Sequence, residues 1–280
     1  MTDTMTQAER RVRPDLTTTS VLRQSLTMVW RNVKHIRRMP EMLADVTIQP
    51  VMFVVLFAYV FGGSIQTDAA SYREWLLPGI MAQTMAFSSF VVAVGLTADI
   101  DRGIVDRFRS LPISRSSVLI GRSLSSLIHS SIGIVVMSVT GLVIGWRIRN
   151  GFVDAVLAYG LLLLFGFAMI WVGILVGSWL RSVEAVNGFM FTVMFPITFL
   201  ANTFAPSERM IPWLRTVAEW NPVSALVQAQ RELWGNSPAA PPDAAWPLQH
   251  PIVVTIGWSV LIAAFIAPLA LRAYVRRTED

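Results

Sequence analysis

Residues 98–112 read Ala-Asp-Ile-Asp-Arg-Gly-Ile-Val-Asp-Arg-Phe-Arg-Ser-Leu-Pro, a charged stretch between two runs that are almost wholly apolar. Such a stretch belongs in water, so the apolar runs on either side read as separate crossings of an apolar phase. Ile104, Phe108 and Leu111 are spaced four and three apart and share one helical face, while Arg102, Asp106 and Arg109 lie elsewhere. Pro112 stops that helix, and Ser114 is placed to cap the next. Two readings fit: a docking helix with one face free to bind, and a solvated loop whose charges keep it out of lipid.

The composition around this stretch is that of a membrane protein. Of 280 residues, 54% are hydrophobic and only 15% charged, with a mean hydropathy of +0.54, whereas about a quarter of the residues of a soluble domain are charged. Several runs reach the roughly 20 apolar residues that cross a bilayer. Backbone groups in lipid must be satisfied internally, which leaves helices or a closed barrel, and runs without period-two alternation favour helices. The sequence predicts an all-α integral membrane protein with six spans, at residues 46–61, 76–97, 118–144, 153–180, 186–204 and 252–274.

Span three carries Arg122, Ser126, His129, Gly133 and Met137 at helical spacing, a side expected to face protein rather than lipid. His129 fits either a proton-relay group or a hydrogen-bonded packing histidine. Gly141 with Gly145, and Gly173 with Gly177, are GxxxG pairs that permit close helix contact. Pro196 is expected to kink or interrupt span five. Residues 205–251 read as a Pro- and Trp-rich extramembrane stretch, in which Met210, Trp213, Leu214, Val217 and Ala218 form a short extracellular interfacial helix between spans five and six.

Both ends of a six-span chain lie on one side. Of the 23 Lys and Arg residues, Arg73, Arg147, Arg149, Arg209, Arg215 and Arg231 fall on one side and the rest on the other, which orients both termini to the cytoplasm of a plasma (inner) membrane protein. Residues 1–20 are polar, lack the apolar core of a signal peptide and read as a disordered cytoplasmic tail. Leu22, Leu26, Val29, Val33 and Ile36 make residues 21–39 an amphipathic interfacial helix ended by Pro40. Residues 40–280 then form a single transmembrane domain.

The residues that would carry chemistry are missing. There is no cysteine, hence no disulfide or thiolate metal site. Lys34 is followed by His35 with no glycine loop, so the chain has no phosphate-cradling P-loop and is not expected to be an enzyme. His35, His129 and His250 are assigned to different depths, which leaves no ligand cluster. Asp45, Asp99, Asp154 and Glu184 sit at span ends rather than centres, so a coupling ion has no obvious site. The sequence pI near 10.4 is absorbed by membrane orientation and calls for no nucleic acid. Met81, Gln83, Met85 and Phe87 in span two, with Phe191 and Phe195 in span five, would make a soft wall for a large apolar molecule, or are ordinary core and lipid-facing residues.

Residues 103–112, Gly-Ile-Val-Asp-Arg-Phe-Arg-Ser-Leu-Pro, resemble the cytoplasmic coupling region of the ABC-2 type permeases, most nearly those of the daunorubicin/doxorubicin resistance type. Residues 45–63, Asp-Val-Thr-Ile-Gln-Pro-Val-Met-Phe-Val-Val-Leu-Phe-Ala-Tyr-Val-Phe-Gly-Gly, and the Pro- and Trp-containing block at 206–222 resemble two further family blocks in the same order. The resemblance implies an ABC exporter subunit in which Asp101, Arg102, Gly103, Asp106, Arg107, Phe108, Arg109, Leu111 and Pro112 couple to a separate ABC ATPase. Asp101 and Arg102 stand where family members often place Glu and Lys. The chain itself would hold no cofactor, ATP and Mg being bound by the ATPase. A second permease, identical or related, would complete a dimer whose pathway is lined by spans two and five. The implied cargo is an amphiphilic, antibiotic-like compound, with a cell-envelope lipid or glycolipid as the alternative. An ion-coupled multidrug transporter is the rival of a different class.

Overall fold

The computed structural model describes residues 48–49, 51–61, 71–103 and 115–277, and every regular element among them is helical. In chain order these are α1 (Val51–Val60), α2 (Tyr72–Asp101), α3 (Arg115–Ile144), α4 (Phe152–Trp179), α5 (Val183–Phe199), α6 (Pro212–Glu219), α7 (Pro222–Trp234), α8 (Trp246–Gln249) and α9 (Pro251–Arg277). By length and composition α2, α3, α4 and α9 can each cross a membrane, while α1 and α5 are shorter apolar helices. The tail and amphipathic helix expected at residues 1–39 lie outside the described residues.

Local chemistry sets where the helices begin and end. Ser71 caps α2 by accepting a hydrogen bond from Glu74 N–H, and Ser182 caps α5 by accepting from Ala185 N–H. Asn221 does the same for α7 through Val223 N–H, with Pro222 in the first helical turn. At the other end of α2, Gly103 has φ +67°, a left-handed conformation that glycine adopts without steric penalty.

Two expectations about the spans are corrected. Residues 98–101 are not part of a separate island: α2 continues through them, so the charged stretch begins as the last turn of the span. Pro196 does not divide span five, because α5 closes at Phe199 rather than near residue 204 and the proline falls in its final turn.

The core forms where α4 lies against α2 on one side and α9 on the other. The α2 contact is very close. A Cβ on Gly173 would fall 2.2 Å from Ser89 O, and one on Gly177 would fall 2.6 Å from Ala93 O. Residues 89 and 93 are four apart, as are 173 and 177, so one turn of each backbone seats on the other. Thr97 extends the contact by donating from Oγ1 to Gly177 O at 3.0 Å. The Gly173 and Gly177 pair therefore packs within the protomer.

The largest departure from expectation is α7. Within residues 205–251, expected as an extramembrane stretch, α7 wedges against α2, α4 and α9, and nearly all of it is buried. Four of its polar side chains are buried too, Ser224, Gln228, Gln230 and Arg231. Gln230 Nε2 donates to Ala158 O at 2.8 Å, which gives the nitrogen of a buried amide its partner. The amphipathic helix expected just before it is present as α6, with Trp213 and Val217 exposed and Ala218 buried.

Candidate functional site

α5 buries only a narrow row, Val186, Met190, Met194 and Thr198, at four-residue spacing. Its other faces carry Phe189, Phe191 and Phe195, all exposed. From Phe191 a ladder of rings runs along the helix and crosses to α1. Phe191 stacks on Phe195 (centroids 5.3 Å apart), Phe195 on Phe199 (4.1 Å), and Phe199 meets Phe204 at 5.0 Å. Phe204 then stacks on Phe57 at 4.6 Å, and Phe57 on Phe53 at 5.8 Å. Apart from the closer Phe195–Phe199 pair, these centroid distances lie in the range where offset-stacked rings attract one another. Beside the ladder α1 exposes Met52, Leu56 and Tyr59, so this side of the protomer is apolar, aromatic and uncovered.

The structure separates the six sequence-derived pathway candidates. Phe191 and Phe195 lie on the exposed ladder, and Phe87 is half-buried beside Phe90. Met81 and Met85 are wholly buried between helices, and Gln83 is buried as well. The i, i+4 spacing of Phe53 with Phe57, and of Phe191 with Phe195 and Phe199, is readable in the sequence. The link through Phe204 is not.

Phe204 is held by groups that sequence reasoning did not single out. Tyr72 Oη donates to Phe204 O at 3.2 Å. Arg231, only 1% exposed, lays its guanidinium 3.5 Å from the centre of the Trp75 ring. From there Nε donates to Trp75 O at 3.0 Å and Nη2 to Asn202 O at 2.9 Å and Thr203 O at 3.5 Å. Burial pushes the Arg231 pKa well down, opposed by the charges of Glu208 and Tyr72. Three backbone carbonyls and an indole face thus take the place of a carboxylate partner.

A second anchor ties the α3–α4 link to α7. Glu74, buried in the first turn of α2, accepts two hydrogen bonds from Arg149, from Nε at 3.1 Å and Nη2 at 2.8 Å. This bidentate hydrogen bond and the opposite charge raise the Arg149 pKa. Arg149 N–H donates to Trp234 O at 2.8 Å, and Trp146 Nε1 donates to Asn236 Oδ1 at 2.7 Å.

At the other end of the bundle the charged stretch emerges. Asp101 and Arg102 are exposed at the end of α2, and Gly103 turns the chain out of the helix by donating from N–H to Ile100 O at 2.9 Å. Asp99 of α2 pairs with Arg122 of α3, and Asp101 pairs with Arg277 of α9 at 3.4 Å. The remaining coupling candidates, Asp106, Arg107, Phe108, Arg109, Leu111 and Pro112, fall outside the described residues.

Residues 23–233 match the ABC-2 type transporter family. The chain is 30% identical over 250 residues to the daunorubicin resistance ABC transporter permease protein DrrB1 of Streptomyces coeruleorubidus, covering 89% of this chain and 85% of that protein. It is 24% identical over 234 residues to the doxorubicin resistance ABC transporter permease protein DrrB of Mycobacterium tuberculosis, covering 81% and 79%. With the putative transport permease ycf38 of Pyropia yezoensis it shares 26% identity over 226 residues, covering 78% and 76%. By the span of that match, a multi-pass helical chain with drug-resistance permeases among its relatives, this protein belongs to the ABC-2 type transporter family.

Proposed function

We propose that this chain is the membrane-spanning subunit of an ATP-driven exporter that moves a hydrophobic or amphiphilic, drug-like compound outward across the plasma membrane. α1, α2, α3, α4, α5 and α9 are its six spans, and both termini are cytoplasmic. A separate ABC ATPase, which binds ATP and Mg, docks on the stretch from Asp101 to Pro112. A second permease, identical or related, covers the exposed face of α1 and α5.

The observation that carries the reading is the phenylalanine ladder, in which Phe191 and Phe195 are exposed and Phe199, Phe204, Phe57 and Phe53 are half-buried. A planar polycyclic cargo, such as the daunorubicin named for one relative, can stack on successive rings and exchange one for the next without being held at a single strong site. Phe191, Phe195, Phe199, Phe204, Phe57 and Phe53 form this surface. Met81 and Met85 are buried in the core of the same bundle, and Phe87 and Gln83 lie on the same span as they do.

Uptake of daunorubicin into inverted vesicles carrying the permease and its ATPase tests this. Uptake is expected to require ATP and to survive a protonophore. Phe195→Ala is expected to raise the half-saturating drug concentration roughly five-fold, the loss of about 1 kcal/mol of ring contact. Uptake that collapses with the protonophore and ignores the ATPase would assign the chain to the ion-coupled class. ATP-driven movement of a lipid-linked glycan in place of the drug would select the envelope-lipid reading.

A further inference from the structure

The two roots of the 104–114 stretch are fastened to each other and to the helices behind them. Asp99 and Arg122 join the end of α2 to the start of α3. Asp101 joins the end of α2 to Arg277, the last residue of α9, with Nη2 and Oδ1 3.4 Å apart. The same guanidinium reaches the end of α4. Arg277 Nη1 donates to Gly177 O at 3.1 Å and to Leu180 O, and Nη2 donates to Arg181 O at 3.3 Å. The last carbonyls of a helix have no partner within it, and a cation there also meets the negative end of the helix dipole.

Arg277 is 14% exposed and Asp101 41%, so the bonds to Gly177 O and Leu180 O are the better shielded and the ion pair is open to solvent. One turn further in, Thr97 Oγ1 bonds Gly177 O, and the α2 and α4 backbones leave no room for a Cβ at Gly177. At this point the α2 and α4 backbones are in direct contact. α5 contrasts with them, since it is held to α2 by a single buried row.

We propose that Arg277 is a positioning residue that fastens the ends of α2, α4 and α9 into one body, so that a push on the 104–112 stretch moves all three together against α5 and α1. The inference rests on the reading of that stretch as the ATPase dock. Close-packed elements transmit displacement without absorbing it, and the guanidinium sits where the ends of α2, α4 and α9 meet. Lysine keeps the charge but loses the planar fork that reaches several acceptors at once.

The test uses the full permease with its ATPase in nanodiscs and exploits the absence of native cysteine. Spin labels at Ala98→Cys and Arg276→Cys report the separation of the α2 and α9 ends. Drug moved per ATP hydrolysed is measured in proteoliposomes. In Arg277→Ala the narrow label distribution is expected to broaden, and the transport-to-hydrolysis ratio to fall at least ten-fold, while ATPase docking and hydrolysis persist. Arg277→Lys is expected to give an intermediate ratio. An Arg277→Ala protein with an unchanged distribution or an unchanged ratio would overturn the clamp and leave the exporter reading intact. If the unsubstituted complex moves no drug with ATP, the exporter reading falls and takes the clamp with it.

Discussion

Arg231→Met is expected to lower the stability of the detergent-solubilised protein by about 1–3 kcal/mol, the cost of leaving buried acceptors without their donor. The native side chain is wholly buried, and its cost of burial is offset by donation to the carbonyls of Trp75, Asn202 and Thr203 and by the Trp75 ring. Methionine fills much of the volume and donates nothing, which leaves those carbonyls without this donor in a dry site. Thermal unfolding followed by size-exclusion fluorescence reads the effect. Arg231→Lys is expected to fall between the two, because an ammonium does not span acceptors on two segments in one plane. A melting temperature in Arg231→Met equal to that of the unsubstituted protein would contradict this account of α7.

The second large effect lies at the other end of the bundle. Phe108→Ala combined with Arg107→Glu is expected to release the ATPase from membranes while the permease stays inserted. By spacing, Phe108 would share a helical face with Ile104 and Leu111, and it is the bulkiest apolar side chain of the stretch. Aromatic anchors in protein interfaces are commonly worth about 2–4 kcal/mol. The charge reversal adds repulsion against a surface selected for a cation. Together they are expected to weaken association by a factor of at least ~100. Co-purification of tagged permease with the ATPase measures it, and retention of the ATPase at the level of the unsubstituted pair would contradict the docking role.

Much of this architecture was legible because long apolar runs leave the chain few choices. Span existence followed from composition, and α2, α3, α4 and α9 appear where the runs predict them. Their ends were less legible, since capping decides them: Ser71 starts α2 ahead of the apolar run, and the helix continues past it to Asp101. α7 was hidden for a different reason. Gln228, Gln230 and Arg231 bring its average hydrophobicity well below that of the spans, and what permits their burial is acceptors that the sequence places far away, such as Trp75 O and Ala158 O. The same holds for the ladder. Ring spacing within α1 and within α5 is a local pattern, whereas Phe204 joins the two only because Tyr72 and Arg231 hold residues 202–204 in place.

The account depends on a helical membrane body that receives work through a hook facing the cytoplasm. Ser110→Cys in this cysteine-free chain places one thiol in that hook, and a membrane-impermeant maleimide reports which side it faces. Labelling is expected in inverted vesicles and not in intact cells, and it is expected to be blocked when the ATPase is bound. Labelling from outside intact cells, or labelling in inverted vesicles that the ATPase does not protect, would contradict it.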